Sequence, residues 1–287
     1  MQPFMQPFPI PVVGMPQTLG PGSQQEDESL DYLPMPHDMH TYRAPILPEP
    51  EDVAECGAAR AWLARLRDAA RDGAIDGAPV GLDLAGLAEA DRRLIDQVLG
   101  EGEVSAQVTG AHGTLAIQES VFAGVWRLRG RDGDGQVFAD RVEVGAVPEP
   151  VRLAALAGAP VPRPAALAPG VVNAPALLAE IAEQAARARQ GSHVINLSLL
   201  PFGPEDAAWL DQCLGRGPVT LLSRGYGNCR ITATGIARVW WVQYFNSQDV
   251  LILNTLEIVD VPEVACAAAE DLADSAERLT EVLDWIG

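Results

Sequence analysis

The sequence predicts an α+β fold, built as a tandem duplication of a unit in which two helices and a strand lead into an antiparallel sheet. Three observations predict it. Shifting the chain by 115 residues lays one ordered series of residues on another. Within each copy the hydrophobic period changes from helical to strand-like at matching places. The composition also changes sharply near residue 52, which separates a tail from a body.

Residues 1–52 hold 11 of the 23 prolines, and the first 25 residues carry no charged side chain. Met-Gln-Pro-Phe occurs twice in succession there. Proline supplies no amide donor, so this stretch is expected to be a disordered or extended Pro-rich tail. Two parts of it mix aromatic, aliphatic and proline residues, Leu30 to Pro36 and Met39 to Leu47. They read either as spacer or as a linear segment that docks on this protein or on a partner.

The first copy is expected over 53–150. Residues 56–72 place Trp62, Leu63 and Leu66 at helical spacing, and Val80 to Leu84 alternates as a strand does. A second helix is expected from near Asp91 to Gly100, with the carboxylate favoured by the helix N-terminus and the glycine ending it. Strands follow at about 103–109, 114–119, 122–130 and 136–145. Asp132-Gly133-Asp134-Gly135 has the turn chemistry of a hairpin between the last two. Residues 151–167, rich in Ala, Pro and Gly, are expected to link the copies.

The second copy, with a closing helix, is expected over 168–287. Leu177, Leu178 and Ile181 mark its first helix over 174–189, and Val194 to Leu199 its first strand. A second helix runs from near Asp206 to Gly215, before strands at about 218–224, 229–234, 237–245 and 249–259. In this reading Val80, Leu82 and Leu84 fall on Ile195, Leu197 and Leu199, Trp126 falls on Trp241, and Thr114 on Cys229. One deletion, placed in the last hairpin, brings Glu143 onto Glu257 and Val147-Pro148-Glu149 onto Val261-Pro262-Glu263. Residues 264–286 place Leu272, Leu279, Val282 and Leu283 on one face of a closing amphipathic helix.

Composition excludes several chemistries. All 20 basic residues are arginine, against 39 Asp+Glu, for a net charge of −19. Without lysine there is no Schiff-base enzyme and no Walker phosphate loop. A chain of pI near 4.5 is a poor general ligand for nucleic acid or anionic membrane. Its apolar runs fall far short of the roughly 18–20 residues of a membrane span, and no positive charge precedes Arg43 to form a signal-peptide n-region. Cys56, Cys213, Cys229 and Cys266 are widely separated, which fits a reducing compartment and neither a disulfide framework nor a zinc site. These features point to a soluble protein of the cytoplasm.

Few residues suggest chemistry. His37-Asp38-Met39-His40 could hold nickel or copper weakly, but a third fixed ligand is lacking, so no metal or cofactor is expected. Cys229, beside Arg230, could be a nucleophile of depressed pKa, yet no histidine is near it in sequence; the alternative is a structural thiol behaving as a small hydrophobe. Ser223 to Arg230 contains Gly-x-Gly-Asn, but a strand-like run follows where a phosphate loop needs a helix. Asp96-Gln97 and Asp211-Gln212 recur between copies, as Glu143 and Glu257 do, which suggests needs of the fold. With no paired acid, triad or ligand set, the chain reads as a binding module and not as an enzyme.

The copies differ in one informative place. Arg127-Leu128-Arg129-Gly130-Arg131 alternates apolar and solvated faces, whereas Val239 to Phe245 and Val250 to Ile258 are apolar on both. The other copy or the closing helix could cover the second face of copy two; a partner protein is the functional alternative. The partner-binding candidates are therefore Tyr226, Asn228, Arg230, Trp240, Trp241, Gln243 and Tyr244.

The blocks Gly225 to Thr232, Val239 to Asp249 and Leu251 to Ile258 resemble the HupH/HyaF family of hydrogenase expression proteins. So do Val261 to Val264, Glu270 to Ser275, and in the tail Asp31-Tyr32-Leu33-Pro34-Met35-Pro36 with Tyr42 to Pro45. The resemblance runs from about residue 30 to the end. It implies an accessory, chaperone-like factor for maturation of an uptake [NiFe]-hydrogenase. On that reading it acts in the cytoplasm on the immature iron–sulfur small subunit before export, alongside a thioredoxin-like companion. Other clients consistent with the same pathway are the large subunit or a nickel-insertion step, for which the chain would serve as scaffold. An alternative of another class is a redox enzyme dependent on Cys229. The family supplies no catalytic or cofactor residue to carry over.

Overall fold

The computed structural model describes residues 56–72, 79–162, 167–187, 191–224 and 228–286. The tail, with His37 and His40, and residues 225–227, with Tyr226, lie outside the described residues. The fold is α+β: among the described residues there are six α-helices and one ten-stranded antiparallel sheet.

The N-terminal half contains α1 (Gly57–Asp72), β1 (Val80–Asp83), α2 (Glu89–Leu99), β2 (Val104–Gly110), β3 (Gly113–Glu119), β4 (Val125–Arg131), β5 (Val137–Val144) and α3 (Glu149–Leu156). The C-terminal half contains α4 (Ala174–Arg187), β6 (His193–Asn196), a 3-10 turn Leu197–Leu199, α5 (Pro204–Leu214) and β7 (Arg216–Ser223). It continues with β8 (Asn228–Thr234), β9 (Val239–Phe245), β10 (Leu251–Ile258), a 3-10 turn Glu263–Ala265 and α6 (Ala269–Ile286). Across the sheet the strand order is β1-β5-β4-β3-β2-β7-β8-β9-β10-β6. Each half thus repeats the other's order outward from the β2–β7 pair, where Ala106 lies opposite Leu221.

Strand alternation divides the sheet into two faces. On one face, Ala106, Ile117, Trp126, Leu128, Leu221, Ile231, Trp240 and Val242 form a central core. Helix α3 closes it with Val151 and Ala155, together with Val261 and Ala265. On the other face the two ends are covered and the middle is not. Helices α1, α2 and α6 cover Leu82, Val125, Val142 and Val144 at one end. Helices α4 and α5 cover Ile195, Val239, Leu256 and Ile258 at the other.

Ladder registers correct several sequence-level correspondences. Leu82 lies opposite Val142 as Ile195 lies opposite Leu256, so Leu82 corresponds to Ile195 and Leu84 to Leu197. The sequence alignment placed these strands two residues out of step. A slip of two preserves the inward face, which is why alternation did not reveal it. Exposure does: Leu84 and Leu197 are buried, whereas Leu199 is 80% exposed. The strand expected to reach Leu199 ends at Asn196, whose side chain accepts a hydrogen bond from the Ser198 amide and starts the 3-10 turn.

Trp126 corresponds to Trp240 and not to Trp241. Each faces a glutamate, Glu143 or Glu257, across its ladder. The Trp126 indole donates to the Gly145 carbonyl, and the Trp240 indole to the Val259 and Asp260 carbonyls. Likewise Cys229 corresponds to Leu115 rather than Thr114, since each lies one step beyond the equivalent pairs Ala106–Ile117 and Leu221–Ile231. The one-residue difference therefore falls between β2 and β3 against β7 and β8, not in the last hairpin, and the re-registered first strands add a two-residue difference before α2 and α5.

Other expectations shift at their edges. The stretch expected to begin a linker at 151 lies inside α3, whose Pro150 occupies the first turn, where proline is tolerated. Helix α6 begins at Ala269 rather than 264, and it packs on α1 of the N-terminal half. Ser275 Oγ donates to the Ala123 carbonyl and Arg278 Nη1 to the Val121 carbonyl, both in that half. Helices α2 and α5 end as expected, at Gly100 with φ 54° and Gly215 with φ 63°, where a side chain would strain the backbone.

Candidate interaction surface

The uncovered middle of the helix-flanked face is formed by β3, β2, β7 and β8. One row of cross-strand neighbours runs Ala116, Gln107, Thr220, Thr232. The adjacent row runs Gln118, Ser105, Leu222, Arg230. Ala116 and Thr109 are exposed, and Gln107, Gln118, Thr220, Thr232 and Arg230 are partly so. The first row is short or polar and open to different degrees, whereas in the second Ser105 and Leu222 are buried between Gln118 and Arg230. On the opposite face the same strands bury Leu115, Ile117, Leu221 and Ile231. The four strands alternate polar and apolar because only one of their faces has a cover.

Each end of this floor is edged by a row of different chemistry. On β4, Arg127 is buried, with Nε 3.0 Å from Asp96 Oδ1 and its guanidinium paired to Asp140. Arg129, which is exposed, reaches the other Asp96 oxygen at 2.7 Å. The sequence suggested a solvated arginine face; instead Arg127 is held inside an ion cluster beneath α2, because Asp96 on that helix lies directly over it. On β9 the corresponding residues are Trp241 and Gln243, and the residue corresponding to Asp140 is Asn254. The Trp241 indole donates to Asn254 Oδ1. A neutral hydrogen-bonded pair thus stands where the N-terminal half has charges.

The second apolar face of β9 is accordingly accounted for in part. Val239 and Trp241 pack with the core under α4 and α5 of the same half. The expected cover was the other half or the closing helix, but α6 lies on the N-terminal half. The physical reason is that α6 fills the gap beside α1 through Leu272, Ala276 and Leu279.

The candidate residues separate by face. Asn228, Arg230, Trp241 and Gln243 lie on the helix-flanked face with the floor. Asn228 is exposed and its amide donates to Asp249 Oδ1 at 3.3 Å. The Arg230 guanidinium stacks 5.4 Å from the Phe245 ring centre, which holds that charge at the floor's margin. Gln243 is buried. Trp240 is fully buried on the opposite face, and Tyr244 lies beside it in the same core. Those two cannot share one surface with the other four. Sequence alternation alone separates even from odd positions in β9; it did not indicate which face was open.

Tyr244 and Cys229 are cross-strand neighbours on the closed face. Burial, opposed by a hydrogen bond from the Tyr244 hydroxyl, pushes the Cys229 thiol up to about 12, and Glu257 adds to the rise. A thiol so placed is protonated and shielded from solvent, the reverse of what a nucleophile needs. The corresponding Leu115 is buried in the same core, as a small hydrophobe's place would be. Tyr244 itself is compensated across the halves. Gly130 stands at its corresponding position, and the Phe138 ring of β5 lies where a Gly130 side chain would go.

Sequence reasoning missed the floor residues Ser105, Gln107, Thr220 and Thr232. Their signal was present as alternation of polar and apolar residues in β2, β7 and β8, but it resembles that of any half-solvated strand. Among the described residues no group of three or more His, Cys, Asp and Glu could hold a metal ion. Among them, too, no helix is long and apolar enough to cross a membrane.

The family model described as the HupH hydrogenase expression protein, C-terminal conserved region, matches residues 57–156 and 171–286. The chain is 51% identical to the hydrogenase expression/formation protein HoxQ of Cupriavidus necator, over 99% of both chains. It is 47% identical to the hydrogenase expression/formation protein HupH of Rhodobacter capsulatus, over 97% of this chain and 98% of that one. To the hydrogenase-1 operon protein HyaF of Escherichia coli it is 33% identical, over 93% and 95%. A solved structure of the hydrogenase expression protein HupH from Thiobacillus denitrificans shares 32% identity. It covers 38% of this chain and 92% of its own, with a TM-score of 0.36.

Proposed function

This chain belongs to the HupH/HyaF family of hydrogenase expression proteins, and we propose that in hydrogenase maturation it is a non-catalytic, chaperone-like assembly factor. Its client is the immature iron–sulfur small subunit of an uptake [NiFe]-hydrogenase, held in the cytoplasm before export, with a thioredoxin-like companion as a further partner. The observation that carries this reading is the uncovered middle of the sheet between two helical flanks. The accessible Gln107, Gln118, Thr220 and Thr232 offer hydrogen-bonding groups across four strands without an aggregation-prone apolar patch. Asn228 and Arg230 border it, Trp241 stands at its edge, and Gln243 is buried beside Arg230. Tyr226, which stands between β7 and β8 in sequence, is included in the same proposal.

Several features support a binding role over a chemical one. Cys229 is buried with its thiol raised, and the repeated acids serve the fold. Glu143 pairs with Arg141 and accepts from the Glu149 amide at the start of α3. We further propose that the two halves arose by tandem duplication. The mirrored strand order and the family model's match to both halves support it. Client binding is tested by co-purification from cells carrying tagged small subunit, grown with and without oxygen. The protein is expected to co-purify with subunit that lacks its full cluster complement. Absence of the protein from tagged small subunit under both conditions overturns the proposal.

A further inference from the structure

The floor is distinctive in charge as well as in shape. The chain carries −19, yet no carboxylate projects from β2, β3, β7 or β8 on the floor side; Glu119 of β3 points to the closed face, opposite Trp126. Arg230 borders the floor at one side; at the other, Arg131 of β4 is exposed, as is Arg129, which also pairs with Asp96. The acidic excess is concentrated elsewhere. Residues 26–52 hold eight carboxylates and one arginine, and four of the eight fall within Glu26 to Asp31.

Connectivity puts these two features on the same side of the molecule. Helix α1 packs on the helix-flanked face, where the Trp62 indole donates to the Asp83 carbonyl and Leu63 and Leu66 meet Leu82 and Val142. The start of α1, to which the acidic segment is joined in sequence, therefore lies on the floor side. An extended segment reaches roughly 3.3 Å per residue, so the 30 residues from Glu26 to Cys56 can span on the order of 100 Å. The four strands of the floor are only about 20 Å across. A tether of this length holds its acidic run at an effective concentration of roughly millimolar, against which a weak ionic contact is sufficient.

We infer that the acidic segment 26–52 of this chain is an occupant of the floor, its Glu26 to Asp31 carboxylates set against Arg129, Arg131 and Arg230. The segment then shields the polar floor until a stronger ligand displaces it. Occupancy concerns this chain alone, so it stands or fails separately from the identity of the client.

The test uses the full chain and compares it with a full-length variant carrying E26Q, D27N, E28Q and D31N. Arginines are modified with phenylglyoxal and the rate at each position is read by peptide mass mapping. Arg93 and Arg187, exposed on α2 and α4, serve as internal references. Arg129, Arg131 and Arg230 are expected to react several-fold faster in the variant than in the unaltered chain. About 1 M salt is expected to raise their rates in the unaltered chain to the same degree, because the Debye length falls to about 3 Å. A labelled peptide of residues 26–52 is expected to bind the variant and to be released by the same salt. Equal rates in the two chains overturn the inference. Protection that salt relieves but the substitutions do not assigns the floor to another occupant, and protection that rises with protein concentration assigns it to a second copy; both overturn it as well.

Discussion

Glu119 shows how much a single position can cost and why it is kept. It sits on the closed face beside Trp126, accepts a hydrogen bond from the Gly124 amide at 3.2 Å and is almost fully buried. Burial pushes its carboxyl up to about 7, despite the Gly124 and Val104 amides, and Glu103 and Asp271 raise it further. The folded state thus favours the neutral acid. Its contribution is fully present below the unfolded value of 4.5 and is lost as pH rises through about 7. Glutamine keeps the acceptor and removes the charge. E119Q is expected to match the parent in thermal stability at pH 5 and to exceed it at pH 8, by up to about 3 kcal/mol. Thermal denaturation at the two pH values checks this, and equal stability at pH 8 contradicts it.

At the scale of elements, each half has its first two helices joined by one buried aspartate. Asp91 of α2 accepts from the Ala59 amide in the first turn of α1 at 2.8 Å. Asp206 of α5 accepts from the Val172, Asn173 and Ala174 amides at the start of α4, each at 2.9 Å. Burial works to raise the Asp206 carboxyl, but these amides and that of Gly203 hold it below its usual 3.8. Its stabilising effect is therefore present above that value and is lost only as pH falls below it. D206A is expected to cost about 2–3 kcal/mol and D91A about 1–2 kcal/mol, since the former leaves more amides without an acceptor. Urea unfolding of the two variants measures the difference.

These aspartates were visible in the sequence as a matched pair near helix starts, and the dipole argument gave them a role on their own helices. Their larger role lies on the neighbouring helix, which no local pattern encodes. Helices and strands were legible because their periods are local. The register of the first strands was not, because a two-residue slip leaves every inward residue inward. In the later strands the slip was of one residue and followed from where the length difference had been placed. Trp240 and Trp241 illustrate the limit: adjacent tryptophans in a strand must face opposite ways, yet only the ladder to Glu257 tells which one matches Trp126. The destination of α6 was equally hidden, since its apolar stripe fits any complementary groove. The open floor could not be read at all from one strand. It exists because α1, α2 and α6 gather at one end and α4 and α5 at the other.

At the scale of the whole molecule, two packed ends and a central core hold a ten-stranded sheet whose middle is closed on one face only. Ion pairs edge the floor on the β4 side, and the Trp241–Asn254 pair edges it on the β9 side. A client that binds there meets polar side chains on a rigid frame, and its affinity depends on residues that do little for folding. The most direct measurement compares small-subunit binding by the parent and by a full-length variant carrying Q107E and T232E, with folding checked by circular dichroism. These side chains are partly exposed and lie in one row of the floor, on β2 and β8. The account predicts a folded variant with at least tenfold weaker co-purification of immature small subunit. A folded variant that recovers the subunit as well as the parent contradicts it.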